Sequence, residues 1–179
     1  QIAWAMENMY LNAYAYYVSE QYVFIPLMTA LSAAVATTTT LLIGALSDRL
    51  GKRKPFIAIG YILWGISIFV FALFDYKSPL SVVGASACAL AGAMVVIFDC
   101  VMTFFGSTAN DACFNAFVTE TTEESYRGKV ESVLSVLPMI AMIIISVLSG
   151  FFTNKGEEKW DIYFIILGAI CLICGVACL

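Results

Sequence analysis

The sequence contains no histidine and little charge: 9 Lys and Arg and 13 Asp and Glu among 179 residues. Without histidine the commonest general base and metal ligand is gone. The net charge of −4 gives no basic surface for a nucleic acid. Only 12% of residues are charged while 61% are hydrophobic. A water-soluble domain carries about a quarter charged residues. So few charges would leave large apolar patches facing water, which points to lipid as the solvent. The six cysteines, Cys88, Cys100, Cys113, Cys171, Cys174 and Cys178, all lie in apolar runs. That placement argues against a disulfide framework. Cys171 and Cys174 have CxxC spacing, but no second pair and no polar surroundings accompany them, so they read as small apolar residues rather than a metal or redox site. No nucleophile–base arrangement stands out, so an enzyme is not expected, and no cofactor or metal is implied.

What is present is a series of long apolar runs. About 20 apolar residues in a helix cross a bilayer core. The runs predict an all-α membrane protein with six helices, at about 2–18, 27–47, 56–74, 88–117, 132–152 and 162–179. The fourth apolar run begins near Val82, and a helix from about Cys88 to Phe117 fits it best. A soluble bundle would need a charged face on each helix, and these are apolar all round. No signal peptide is evident. The chain starts and stops inside apolar runs, as expected of a piece of a longer protein. Arg49, Lys52, Arg53, Lys54, Arg127 and Lys129 fall on one side of the spans, and Lys77, Lys155 and Lys159 on the other. Excess positive charge marks the cytoplasmic side. The expectation is a multi-pass protein of the cell membrane with a cytoplasmic N-terminus.

The loop after the second span reads Gly44-Ala45-Leu46-Ser47-Asp48-Arg49-Leu50-Gly51-Lys52-Arg53-Lys54. Gly44 would permit close helix approach. Asp48, where the helix stops, can pair with a basic residue or accept from a helix N-terminus. Gly51 suits a positive φ, Lys52, Arg53 and Lys54 hold the loop in the cytoplasm, and Pro55 suits the first position of the next helix. This order of parts resembles the signature of the major facilitator superfamily. Asn110-Asp111-Ala112-Cys113-Phe114-Asn115, followed by a Thr and acidic stretch with Glu120 and then Arg127, is similar to the glycoside–pentoside–hexuronide:cation symporters, a sugar-transporting branch. The resemblance implies the N-terminal six-helix half of a twelve-helix transporter, built as two inverted three-helix repeats, with its C-terminal half absent from this chain. The acidic residues that help bind the coupling cation on that branch's second helix are missing here, where Ala33 to Leu41 holds no carboxylate. A proton rather than sodium is therefore expected. Ala112 and Cys113 also stand where the branch carries a proline.

An ionisable group inside a span is costly unless it faces a cavity or a partner. Glu7, Asp99 and Asp111 are such groups; Glu131, at the inner end of the fifth span, can lie in the interface. Asn8 adjoins Glu7, and Tyr10, Tyr14 and Tyr17 follow it at helical spacing. A carboxylate with tyrosines suits a sugar: oxygens accept hydroxyl hydrogens, and rings pack on C–H faces. The same tyrosines also fit an interfacial belt, the better fit for Tyr16, Tyr17 and Tyr22. Asn110 adjoins Asp111, Asn115 lies one turn on, and Asp99 shares its face with Thr103, Ser107 and Asn110. Thr37 to Thr40 can bond back to their own helix, and Pro138 is placed to kink the fifth span. The expected partners are a small polar solute, a proton and the bilayer. An exporter of amphipathic compounds, or a sensor or scaffold on the same fold, would share these features.

Overall fold

The computed structural model describes residues 2–73, 85–153 and 160–178, and every described segment is helix or short turn. Helix α1 spans Ile2–Ser19, α2 Phe24–Leu50 and α3 Lys54–Leu73. Helix α4 (Ala85–Ser107) runs on through a π-helical segment, π1 (Thr108–Phe114), into α5 (Asn115–Thr121). Helix α6 spans Glu124–Thr153 and α7 Trp160–Ala177. Lys77, Lys155 and Lys159, used in the charge count, lie outside the described residues, as does the stretch from 81 to 84.

Among the described residues, four helical stretches are long and apolar enough to cross a bilayer: Phe24–Leu50, Lys54–Phe71, Ala89–Thr121 and Glu124–Val147. The apolar part of α7, Ile162–Ala177, is shorter, and α1, interrupted by Glu7, Asn8 and Asn12, is not among them. Two boundaries differ most from expectation. The fourth helical stretch continues to Thr121, and α6 begins at Glu124 rather than Ser132. Hydropathy misses these ends because they are polar: Thr119, Glu120 and Thr121 finish α5, and Glu124 to Glu131 open α6. Thr122 and Glu123 alone make the turn, with the Tyr126 and Arg127 amides donating to the Glu123 carbonyl. Pro138 sits within α6, which is assigned as one helix from end to end.

The outside is oily. Leu41, Leu42, Met139, Ile143, Val147 and Ile173 are each more than 60% exposed. The core is packed by aromatic rings. Tyr14 meets Phe164 edge-on at 4.9 Å, Phe164 stacks on Phe71 at 5.3 Å, and Phe71 reaches Phe98 at 6.0 Å, joining α1, α3, α4 and α7. With lipid outside there is no solvent contrast to press helices together, so close packing must hold them. The tightest crossing joins α3 to α7. A Cβ on Gly168 would lie 3.1 Å from the Gly65 carbonyl oxygen, and one on Gly65 would lie 3.0 Å from that of Gly168. Gly44 does not act this way: no described residue lies within 4 Å of where its Cβ would stand.

This crossing makes a first prediction. Gly168→Leu in the purified full-length protein should cost about 1–3 kcal/mol, the usual penalty for overpacking. Unfolding in detergent, followed by tryptophan emission, measures it. An unchanged midpoint would contradict the close α3–α7 contact.

Candidate functional site

The polar residues inside these helices converge. A cavity of about 290 Å³ is lined by Trp4, Glu7, Asn8, Leu11 and Asn12 of α1, by Met28, Thr29, Ser32, Ala33 and Ala36 of α2, by Trp64 of α3, and by Asp99, Thr103, Gly106, Ser107, Asn110 and Asp111 of α4 and π1. All three carboxylates expected from the sequence are in this wall. So are Asn8 and Asn110, and the Asp99, Thr103, Ser107 and Asn110 stripe faces the cavity as its spacing requires.

Asp99 is only 3% exposed and accepts a hydrogen bond from the Ser32 hydroxyl, which ties α4 to α2. Asp111 accepts from the Asn110 side-chain amide at 3.0 Å, and the Tyr61 hydroxyl of α3 donates to the Asn110 side-chain oxygen Oδ1 at 3.4 Å. The π segment carries this pair. In π1 each bond reaches one residue further than in an α-helix, so the Asn115 amide donates to the Asn110 carbonyl. Asn110 and Asp111, adjacent in sequence, both reach the cavity, whereas Asn115 does not line it.

Tyr10 and Tyr14 lie away from this cavity. Tyr14 is 4% exposed and sits in the aromatic core, and Tyr10 packs edge-on against Tyr163 at 5.3 Å. Neither lines the cavity. The reason is helical phase, at about 100° per residue. Measured from Glu7, Trp4, Asn8 and Leu11 fall on the cavity side, between about 40° and 100°, while Tyr10 falls about 60° the other way. Tyr14 returns to the phase of Glu7, but two turns along, where α3 and α7 cover it. Trp4, Asn12, Thr29, Ser32 and Trp64 line the cavity and escaped the sequence reading. Thr29 and Ser32 left a signal, two polar residues one turn apart on an apolar helix. Thr37, Thr38 and Thr40 instead donate to the Ala33, Ala34 and Ala36 carbonyls, each at 2.8 Å.

A second polar cluster joins the α2–α3 turn to the end of α5. Gly51 ends α2 with φ 61°, and its amide donates to the Ser47 and Asp48 carbonyls. This left-handed turn brings Arg53 back onto α2. Its guanidinium donates to Asp48 at 2.5 Å, to the Ser47 hydroxyl at 3.1 Å, and in bidentate fashion to Glu120 at 2.7 and 2.6 Å. Planar forked pairing of this kind is the strong form of the contact. The Glu120 bond first, then the Asp48 bond, holds the guanidinium's pKa above its already high ordinary value, with burial opposing them. Lys54 lies over the Phe117 ring at 5.8 Å. Pro55 is the second residue of α3, which starts at Lys54. Arg49 and Lys52 are exposed, and Arg127 makes no ion pair among the described residues. Gly44 contributes its carbonyl, which accepts from Ser47 at 2.9 Å.

Among the described residues, no group of three or more acidic, cysteine or histidine side chains is arranged to hold a metal ion. The cavity thus offers carboxylates, amides, hydroxyls and indoles: chemistry for holding a polar molecule and moving protons, set in an oily scaffold. No curated protein and no solved structure matches the chain. The sequence model of the Major Facilitator Superfamily matches residues 2–179. With apolar helices around a polar cavity and that match over nearly its whole length, the chain belongs to the Major Facilitator Superfamily, a family of membrane transporters.

Proposed function

We propose that this transporter moves a sugar or a similar polar solute together with a proton, by alternating access. In this reading the chain is the N-terminal six-helix half of a twelve-helix protein. Helices α1 to α3 form one three-helix repeat and the rest form its inverted counterpart. The cavity opens toward a C-terminal half, and the α2–α3 turn lies in the cytoplasm. The observation that carries the reading is a carboxylate next to an amide on two walls of one cavity: Glu7 beside Asn8 on α1, and Asp111 beside Asn110 on π1. Carboxylates accept hydroxyl hydrogens, amides both donate and accept, and the Trp4 ring can lie against a pyranose C–H face. Asp99 is the best-placed proton carrier. It is the most deeply buried of the three acids, and its Ser32 bond spans two helices that must shift if the cavity changes sides.

Arginine 53 supports the alternating part of this mechanism. By joining Asp48 to Glu120 it acts as a latch between the end of α2 and the end of α5. Breaking a cluster of this kind favours the state in which it is already open.

Two outcomes follow. In vesicles holding the full-length protein, a proton gradient should drive accumulation of a saccharide from a panel of tritiated mono- and disaccharides. Asp99→Asn should abolish accumulation yet keep solute exchange, and Glu7→Gln should raise KM roughly tenfold or more, the worth of one hydrogen bond to a charged group. Wild-type behaviour in both variants contradicts the assignment, and gradient-driven extrusion of amphipathic dyes with no saccharide uptake would point to an exporter. Separately, Cys113 is fully buried beneath the latch, packed with Ile57 and Ala112. Arg53→Ala should raise its alkylation rate several-fold, located by peptide mass spectrometry, and an unchanged rate would show that the cluster does not hold this end shut.

A further inference from the structure

Trp64 is the one residue of α3 in the cavity wall, and its position is unusual for a side chain of an apolar helix. It is 4% exposed, and its indole N–H has no hydrogen-bond partner among the described residues. An indole nitrogen only donates, and a buried donor left unpaired costs about 1–3 kcal/mol. Such a group is explained when another state of the protein supplies the acceptor. The Glu7 carboxylate is its neighbour in the cavity wall, interacting with the indole but not in hydrogen-bond geometry.

The ring is built into place. Gly106 of α4 faces it: a Cβ there would stand 3.2 Å from Cε2, the ring atom bonded to the N–H, and 3.4 Å from Cδ2. The missing side chain is the notch through which α3 reaches the cavity. Tyr61 flanks the indole at 5.8 Å, and the Ser67 hydroxyl donates to the Trp64 carbonyl at 2.7 Å, one turn on. A ring so confined holds its N–H in one direction while the longer Glu7 side chain can swing.

We propose that Trp64 is a positioning residue for Glu7: its indole N–H, in a ring held against Gly106, receives the Glu7 carboxylate as that side chain swings within the cavity, before any solute is bound. The solute side of this inference rests on the reading of the cavity as a sugar site. Pairing with Trp64 engages one carboxylate oxygen and leaves the other to accept a solute hydroxyl. Without that donor, Glu7 samples several orientations, and the loss appears in solute affinity.

The test uses the full-length protein in vesicles, the same tritiated saccharides, and Trp64→Phe, which keeps an aromatic ring and removes the N–H. Trp64→Phe should raise KM about fivefold or more with turnover within twofold, while in a Glu7→Gln background it should add less than twofold. Gly106→Ala, which presses on the ring, should move KM in the same direction. An unchanged KM in Trp64→Phe overturns the proposal, and so does an equal effect in both backgrounds, which would mean packing alone. A second readout needs no solute. In protein labelled at indole nitrogen, the resonance that Trp64→Phe removes should shift in Glu7→Gln, and a resonance indifferent to Glu7 overturns the pairing. If no saccharide is transported, the sugar reading fails, and the resonance still decides whether Trp64 holds Glu7.

Discussion

The cost of placing a carboxylate among apolar helices organises this molecule. An ionisable group facing lipid is penalised by several kcal/mol, yet Glu7, Asp99 and Asp111 lie on helices whose other faces are oil. They are tolerated because they turn toward one another's cavity and away from the bilayer. Everything else follows from keeping that arrangement. Alpha1, α2 and α4 must present polar stripes to a shared space. Alpha3 and α7 must brace them from behind, where glycine contact replaces the missing hydrophobic drive.

The two polar clusters divide the work. The cavity is loosely paired, with Ser32 on Asp99, Asn110 on Asp111 and Glu7 beside an indole N–H that it does not yet satisfy. Such a wall can exchange its own contacts for those of a solute. The Arg53 cluster is the opposite: two carboxylates and a hydroxyl on one guanidinium, every bond at 3.1 Å or less. A tight cluster at a helix end and a loose one at mid-helix is an arrangement that can open at one place and bind at another.

Much of this was legible in the sequence. The signature loop pointed to the Gly51 turn and a paired Asp48, and spacing of three and four residues pointed to the Asp99 to Asn110 stripe. The threonine run behaved as hydroxyls that return to their own helix. What stayed hidden has physical causes. Spacing gives the phase of a side chain but not its neighbour, so it cannot show that α3 and α7 cover Tyr14. Spacing puts Asn115 on the face of Asp111, yet one turn further along it lies beyond the lining of the cavity. Trp64 looks like any core aromatic, because the notch that admits it belongs to Gly106, forty-two residues further on. Polar helix ends, at Thr119–Thr121 and Glu124–Glu131, look like loop when read by hydropathy.

In this structure the acids within the helices face a shared polar cavity while the opposite helix faces are left to lipid. Cysteine accessibility tests it most directly. In the full-length protein with its native cysteines replaced, Asn8→Cys, Thr103→Cys and Asn110→Cys should react with a membrane-impermeant thiol reagent, and Leu42→Cys, Ile143→Cys and Ile173→Cys should not. Equal labelling of the two sets, or labelling of the second set alone, would contradict a polar cavity lined by these acids.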